Sequence, residues 1–155
     1  MDLFIAIFQG IIIASTPLVL AAVGELVVEK SGVLNLGVEG MMIIGAVTSF
    51  IVTYETGSHF LGLIAAIISA GLVASLFGLL TQYLLSNQVA TGLALTLFGL
   101  GLASLIGQTY SGISLDAFPV FDVYLLTEIP IIGSLLFNFD YLIYLSIIIV
   151  VSVYY

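Results

Sequence analysis

Long apolar runs separated by brief polar stretches organise this chain. The first runs from about Leu3 to Val23, with a helix able to continue toward Val28. The second covers about 34–54, the third 60–85 and the fourth 89–107. Each is close to or above the roughly 20 residues that an α-helix needs to cross a bilayer. None alternates in the short segments of about ten residues that a membrane β-barrel requires. A fifth run, 141–155, reads YLIYLSIIIVVSVYY and is shorter than a span. The expectation is therefore an all-α fold: a polytopic transmembrane helix bundle with about five membrane segments. The last segment is cut short, so the sequence reads as incomplete at its C-terminus, the N-terminal part of a single transmembrane domain.

The polar interruptions refine this picture. Pro17 lies inside the first segment after Ser15 and Thr16, whose hydroxyls can bond to freed carbonyls, so a tolerated kink is favoured over a gating hinge. The stretch GELVVEKSGVLNLGVEG, Gly24 to Gly40, holds three of the nine carboxylates and the sole cationic side chain. Its glycines Gly32, Gly37 and Gly40 disfavour a continuous helix, which leaves a broken or re-entrant approach to the second segment and a plain loop about equally supported. YETGSH (54–59) and SNQ (86–88) are short connections. The 108–140 region carries two prolines, four acids and apolar patches too short to span, and reads as interfacial or re-entrant pieces.

Small residues add a packing signal. Gly62, Ala66, Ala70, Ala74 and Gly78 recur every four positions on the third segment, and Gly99, Ala103 and Gly107 do so on the fourth. Such rows let helix backbones approach in lipid, where the hydrophobic effect does not drive helices together. Packing within one bundle is favoured over a homodimer seam.

Composition agrees with the pattern and removes several function classes. Of 155 residues, 62% are hydrophobic and 6% charged, against about 25% charged in a soluble domain; the mean hydropathy is +1.36. The net charge of −8 opposes nucleic-acid binding, which needs a basic face. There is no cysteine and one histidine, so neither a thiolate nor a multi-histidine metal site can be built. Glu55 and His59 are four apart but lack further ligands. No P-loop motif occurs, and no nucleophile, base and orienting group assemble, so catalysis is not expected. Lys30 places its loop in the cytoplasm by the positive-inside rule, and alternation then puts 108–140 outside.

Ionisable and amide side chains near membrane depth are the better lead. Glu25 and Glu29 share a helix face, as do Asn35 and Glu39 if the second segment is helical there. Asn87, Gln88 and Thr91 sit where the fourth segment begins; a capped turn is somewhat favoured over a solute contact.

Two stretches carry a family resemblance. TPLVLAAVGELVVEKSGVLNLGVEGMMIIGA (Thr16 to Ala46) and NQVATGLALTLFGLGLASLIG (Asn87 to Gly107) resemble the signatures of permease subunits of ABC importers. The similar branch is the simple-sugar and nucleoside group of the ribose and branched-chain amino-acid permease superfamily. The resemblance implies a multi-pass cell-membrane protein that pairs with a second permease subunit, a cytoplasmic ABC ATPase and an extracytoplasmic substrate-binding lipoprotein. It also implies no cofactor in this chain, ATP and Mg being held by the ATPase, whose docking loop on the permease lies downstream of Tyr155. Asn35 and Glu39 become candidates for lining or supporting a translocation path, with Asn87, Gln88 and Thr91 beside them. Glu25, Glu29 and Lys30 become interfacial or helix-bonding. The alternative is a small membrane subunit that does not transport, or a nonfunctional permease fragment.

Overall fold

The computed structural model describes residues 2–118 and 139–155. Five α-helices follow in order: α1 (Asp2–Lys30), α2 (Val38–Thr56), α3 (His59–Gly78), α4 (Gln88–Gly107) and α5 (Tyr141–Tyr154). A π-helical turn, Leu79–Tyr83, continues α3, and a 3-10 turn, Gln108–Tyr110, continues α4. Among the described residues, four stretches are long and apolar enough to cross a membrane: Leu3–Lys30, Val38–Thr56, His59–Tyr83 and Gln88–Tyr110. The all-α polytopic bundle expected from the sequence is what the chain forms. Residues 119–138, the larger part of the stretch expected to lie outside the membrane, fall outside the described residues.

Contacts divide the chain into two compact units, one of α1 up to Gly24 with Ala117–Tyr155, the other Glu25–Asp116. In the first, α1 runs unbroken through Pro17. The Ser15 and Thr16 hydroxyls donate to the Ile12 carbonyl at 3.1 and 2.8 Å. That is one residue short of Ile13, the carbonyl whose helical partner amide proline lacks, so the expected rescue is displaced by one position. Asp140 caps α5 by accepting from the Ile143 amide at 3.1 Å. Ile143 and Ser146 are buried beneath a cleft of about 300 Å³ between α1 and α5.

The second unit is built around α2, which packs on α3 along one side and on α4 along another. A core of Met41, Ile44, Val73, Phe77 and Leu95 lies among the three helices. Backbone proximity does the rest. A β-carbon added at Gly62 would collide with the Thr53 hydroxyl and the Ser49 carbonyl of α2, and Gly45 faces Ala66 and Ala70. Thr48 and Ser69 hydroxyls meet between the same helices at 2.6 Å. Gly62, Ala66 and Ala70 therefore lie against α2, whereas Ala74 is exposed and Gly78 has nothing beside it. On α4, Gly99 abuts Gly40, Ala103 is buried, and Gly107 abuts Val47.

Helix ends follow local chemistry. Gly57, at φ +67°, closes α2 by donating to the Thr53 carbonyl at 2.8 Å, a left-handed stop that suits glycine. Ser58 then caps α3. The third segment loses α-geometry at Leu79 rather than running helical to Leu85, which takes a left-handed φ of 52°. The second segment becomes helical at Val38, not Leu34, for reasons that lie in the site itself.

Candidate functional site

The α1–α2 connection, Ser31 to Gly37, is an ordered break whose backbone groups are taken up by side chains from three directions. The Glu25 carboxylate, near the end of α1, accepts from the Asn35 amide at 2.8 Å. Gln88, at the start of α4, accepts from the Leu34 amide at 2.8 Å through Oε1. Thr96, two turns further along α4, donates to the Leu36 carbonyl at 2.9 Å. Asn35 Oδ1 accepts from the Gly37 amide at 2.9 Å, a local Asx-type turn. The amides so satisfied are ones that the start of a helix leaves unpaired anyway, but Thr96 takes the Leu36 carbonyl that a helix begun at Leu34 would offer to the Gly40 amide, and α2 starts at Val38.

The loop lies directly on α4. A β-carbon at Gly92 would sit 2.8 Å from the Leu36 nitrogen and 2.9 Å from the Gly37 nitrogen, so this contact requires glycine. Gln88, Gly92 and Thr96 are four residues apart and form one face of α4; Gly99, Ala103 and Gly107 extend that face along α2. The connection lies between two helices that are each long and apolar enough to cross a membrane, and protein side chains supply partners for its backbone groups.

The residues singled out from sequence separate into different settings. Asn35 is buried, at 7% exposure, with its amide nitrogen 3.6 Å from Met41 Sδ. Glu39 is exposed on the first turn of α2. Because 33–36 are not helical, Asn35 and Glu39 share no helix face. Glu25 is half-buried, while Glu29 and Lys30 are exposed. Of the group at the start of α4, Gln88 alone reaches the loop. Asn87 caps α4 by accepting from the Ala90 amide at 3.0 Å. Thr91 bonds the Ser86 hydroxyl at 2.8 Å, beside a groove of about 520 Å³ between the α3 π-turn and α4.

Sequence reading missed Thr96 and Gly92. The signal was partial: one three-residue step back from Gly99 reaches Thr96, and steps of four from there reach Gly92 and Gln88. It was not legible alone, because a helical row of small and polar residues does not say that the neighbour is a loop. Replacing Gln88 with Ala leaves the Leu34 amide without its partner. The expected loss is about 1 kcal/mol, read as a lower thermal midpoint by far-UV circular dichroism in detergent; Asn87→Ala, which uncaps α4 without touching the loop, distinguishes the two roles by leaving Leu34 amide exchange slow.

Comparison with known proteins places this geometry. Residues 7–155 match the family model described as branched-chain amino acid transport system / permease component. The chain belongs to this permease family. Family membership and four apolar helices make it a multi-pass protein of the cell membrane. Among its relatives is TsgC13 of Haloferax volcanii, provisionally named a glucose ABC transporter permease protein. It is 41% identical over 130 residues, covering 81% of this chain and 39% of the relative. The nucleoside ABC transporter permease protein NupC of Lactococcus lactis is 28% identical, over 85% of this chain and 45% of its own. The guanosine ABC transporter permease protein NupQ of Bacillus subtilis is 29% identical, over 83% and 42%. The permease chain thus spans about two fifths of the length of these relatives. No solved structure gives a significant match.

Proposed function

We propose that this chain is the N-terminal portion of a permease subunit of an ATP-driven importer for nucleosides or simple sugars. It forms a translocation path with a second permease subunit. A cytoplasmic ABC ATPase, which holds ATP and Mg, drives the cycle, and an extracytoplasmic lipoprotein delivers the solute. The observation that carries this reading is the side-chain-satisfied break before α2, joined to family membership. The break joins two full-length spans rather than interrupting one, so it fixes how the ends of α1, α2 and α4 meet, which in this reading is one end of the path. Relatives named for glucose, nucleosides and guanosine support the solute class. All three are neutral solutes, compatible with a bundle that carries few charges.

In this reading Asn35 supports the path from behind, while Glu39, exposed in the first turn of α2, lines it, together with Asn87, Gln88 and Thr91. Glu39→Ala in the complete transporter is expected to lower uptake of labelled guanosine or glucose by about tenfold, the loss of one charge-assisted hydrogen bond, with the permease level in the membrane unchanged. Unaltered uptake would remove Glu39 from the path. Deleting the gene tests the wider proposal: uptake of sugars and nucleosides that is the same with and without the permease would sink it. Affinity purification of the tagged permease should also recover an ATPase.

A further inference from the structure

The end of α2 remote from Lys30 carries a second polar cluster. The Tyr110 hydroxyl, in the 3-10 turn after α4, donates to Glu55 Oε1 at 3.0 Å. The Tyr54 ring meets the Tyr110 ring edge-on, with centroids 5.7 Å apart and planes at 78°. Tyr54 is 46% exposed and Glu55 is exposed, so one aromatic ring and a carboxylate edge are presented outward together. Of the three, Tyr110 lines a groove of about 510 Å³ along the seam between α2 and α4, with Tyr54 and Glu55 beside it rather than in its walls. Its walls include Ala46, Val47 and Phe50 from α2 and Ser104 and Gly107 from α4. On α2 the steps Glu39, Ile43, Ala46/Val47, Phe50 and Tyr54 lie on one face by helical spacing. The groove face therefore has the exposed Glu39 toward one end and the Tyr54–Glu55–Tyr110 cluster at the other.

We propose that the Tyr54–Glu55–Tyr110 cluster is a solute-contact site at the mouth of this groove, for a neutral ring that carries several hydroxyl groups. The proposal rests on the importer reading above. A site for a small solute is largely apolar, with a few convergent polar groups that fix orientation. The groove and its mouth have that form. An exposed tyrosine ring gives a flat apolar face with a polar edge, suited to the C–H face of a sugar or to a nucleobase, for which stacking on aromatic rings is favourable. A carboxylate accepts two or more hydrogen bonds. Glu55 Oε1 takes the Tyr110 hydroxyl, and its second oxygen accepts from a ring hydroxyl of the solute. An interfacial aromatic belt or a simple staple between α2 and α4 would use the same rings without needing the carboxylate's charge. Glu55→Gln keeps an oxygen for Tyr110 but removes the charge, whereas Tyr110→Phe removes the staple and keeps the ring.

The test is initial-rate uptake of labelled glucose, guanosine and uridine over a concentration series, in cells expressing the complete transporter with each variant. Glu55→Gln is expected to raise KM about tenfold with membrane levels of permease unchanged. Tyr54→Ala raises it comparably, and Tyr110→Phe, which frees one Glu55 oxygen but keeps the ring, raises it less than Glu55→Gln does. A larger effect of Tyr54→Ala on guanosine and uridine than on glucose identifies base stacking; an equal effect identifies the shared hydroxylated ring. If Tyr110→Phe reproduces the Glu55→Gln defect, the cluster is a staple and the proposal fails. It fails equally if permease-dependent uptake shows the same KM in Glu55→Gln and Tyr54→Ala as in the parent. Uptake that does not depend on the permease at all overturns the importer reading instead, and the cluster's solute role with it. Should Glu55→Gln not accumulate in the membrane, Glu55→Asp, which keeps the charge but shortens its reach, carries the same KM measurement.

Discussion

Gly99→Ala is expected to destabilise the second unit by about 2–3 kcal/mol. The added carbon would lie 2.6 Å from both the Gly40 α-carbon and the Gly40 carbonyl oxygen. These are backbone atoms of a packed helix and cannot rotate away, so α2 and α4 must separate. Ala is worth up to about 1 kcal/mol over Gly in a helix interior, which offsets part of the cost but not most of it. Gly40→Ala meets the Leu95 carbonyl oxygen at 2.5 Å and the Thr96 α-carbon at 2.8 Å and should behave alike. Because both changes open one gap, their costs should fall short of adding. Gly71→Ala is the control, since nothing lies within 4 Å of its added carbon; it should be neutral or slightly stabilising. Far-UV circular dichroism melts of the purified chain in detergent read all four proteins. A Gly99→Ala melt that overlays the Gly71→Ala melt would mean that the two backbones do not meet.

Glu25→Ala is expected to release the loop rather than unpack the helices. It removes the acceptor of the Asn35 amide, and a donor left unsatisfied away from water costs about 1–3 kcal/mol. Its signature is local: amide exchange at Asn35 should speed by at least about tenfold, with smaller changes in α3. Glu25→Gln keeps an acceptor oxygen and should retain most of the protection. Asn35→Ala removes the Gly37 partner instead and should expose the first turn of α2. Since Glu25, Asn35, Gln88 and Thr96 hold the four consecutive residues Leu34 to Gly37 between them, Glu25→Ala and Gln88→Ala should couple in a double-mutant cycle. Independent, additive losses would show that the loop is not held as one piece. In the complete transporter, the importer reading predicts that Glu25→Ala lowers uptake while Glu25→Gln largely preserves it.

Much of this was readable in advance from particular residues. The four apolar runs became four helices because backbone groups in lipid have no alternative to internal hydrogen bonds. Of the three glycines expected to disfavour a helix after Lys30, Gly32 and Gly37 lie in the break, Gly32 at φ +85°, whereas Gly40 is helical within α2 and serves the close contact with α4 instead. The row Gly62–Ala66–Ala70 lay where close packing was expected, though Ala74 and Gly78, in perfect register with it, met nothing. Register states which residues share a face; it does not state how far along that face the neighbouring helix extends. The same limit hid Gly92 and Thr96, which were visible as members of a row but not as the surface on which a loop rests.

The sequence by itself determined the class, the spans and the break, because hydropathy over some twenty residues and the lack of helix-supporting residues at 31–37 are local properties. Its motifs also carried the family. Only the tertiary structure decided what the break is made of. Glu25, Gln88 and Thr96 are 10, 54 and 60 residues from the loop groups they bind. Such bonds exist only after α1, α2 and α4 have come together. It was likewise the packing of α2 on α4, through Gly40 and Gly99, that brought Tyr110 onto Glu55 across 55 positions of chain. Helical spacing fixes a side chain's direction around its own axis, but which partner stands opposite depends on how closely two backbones can approach.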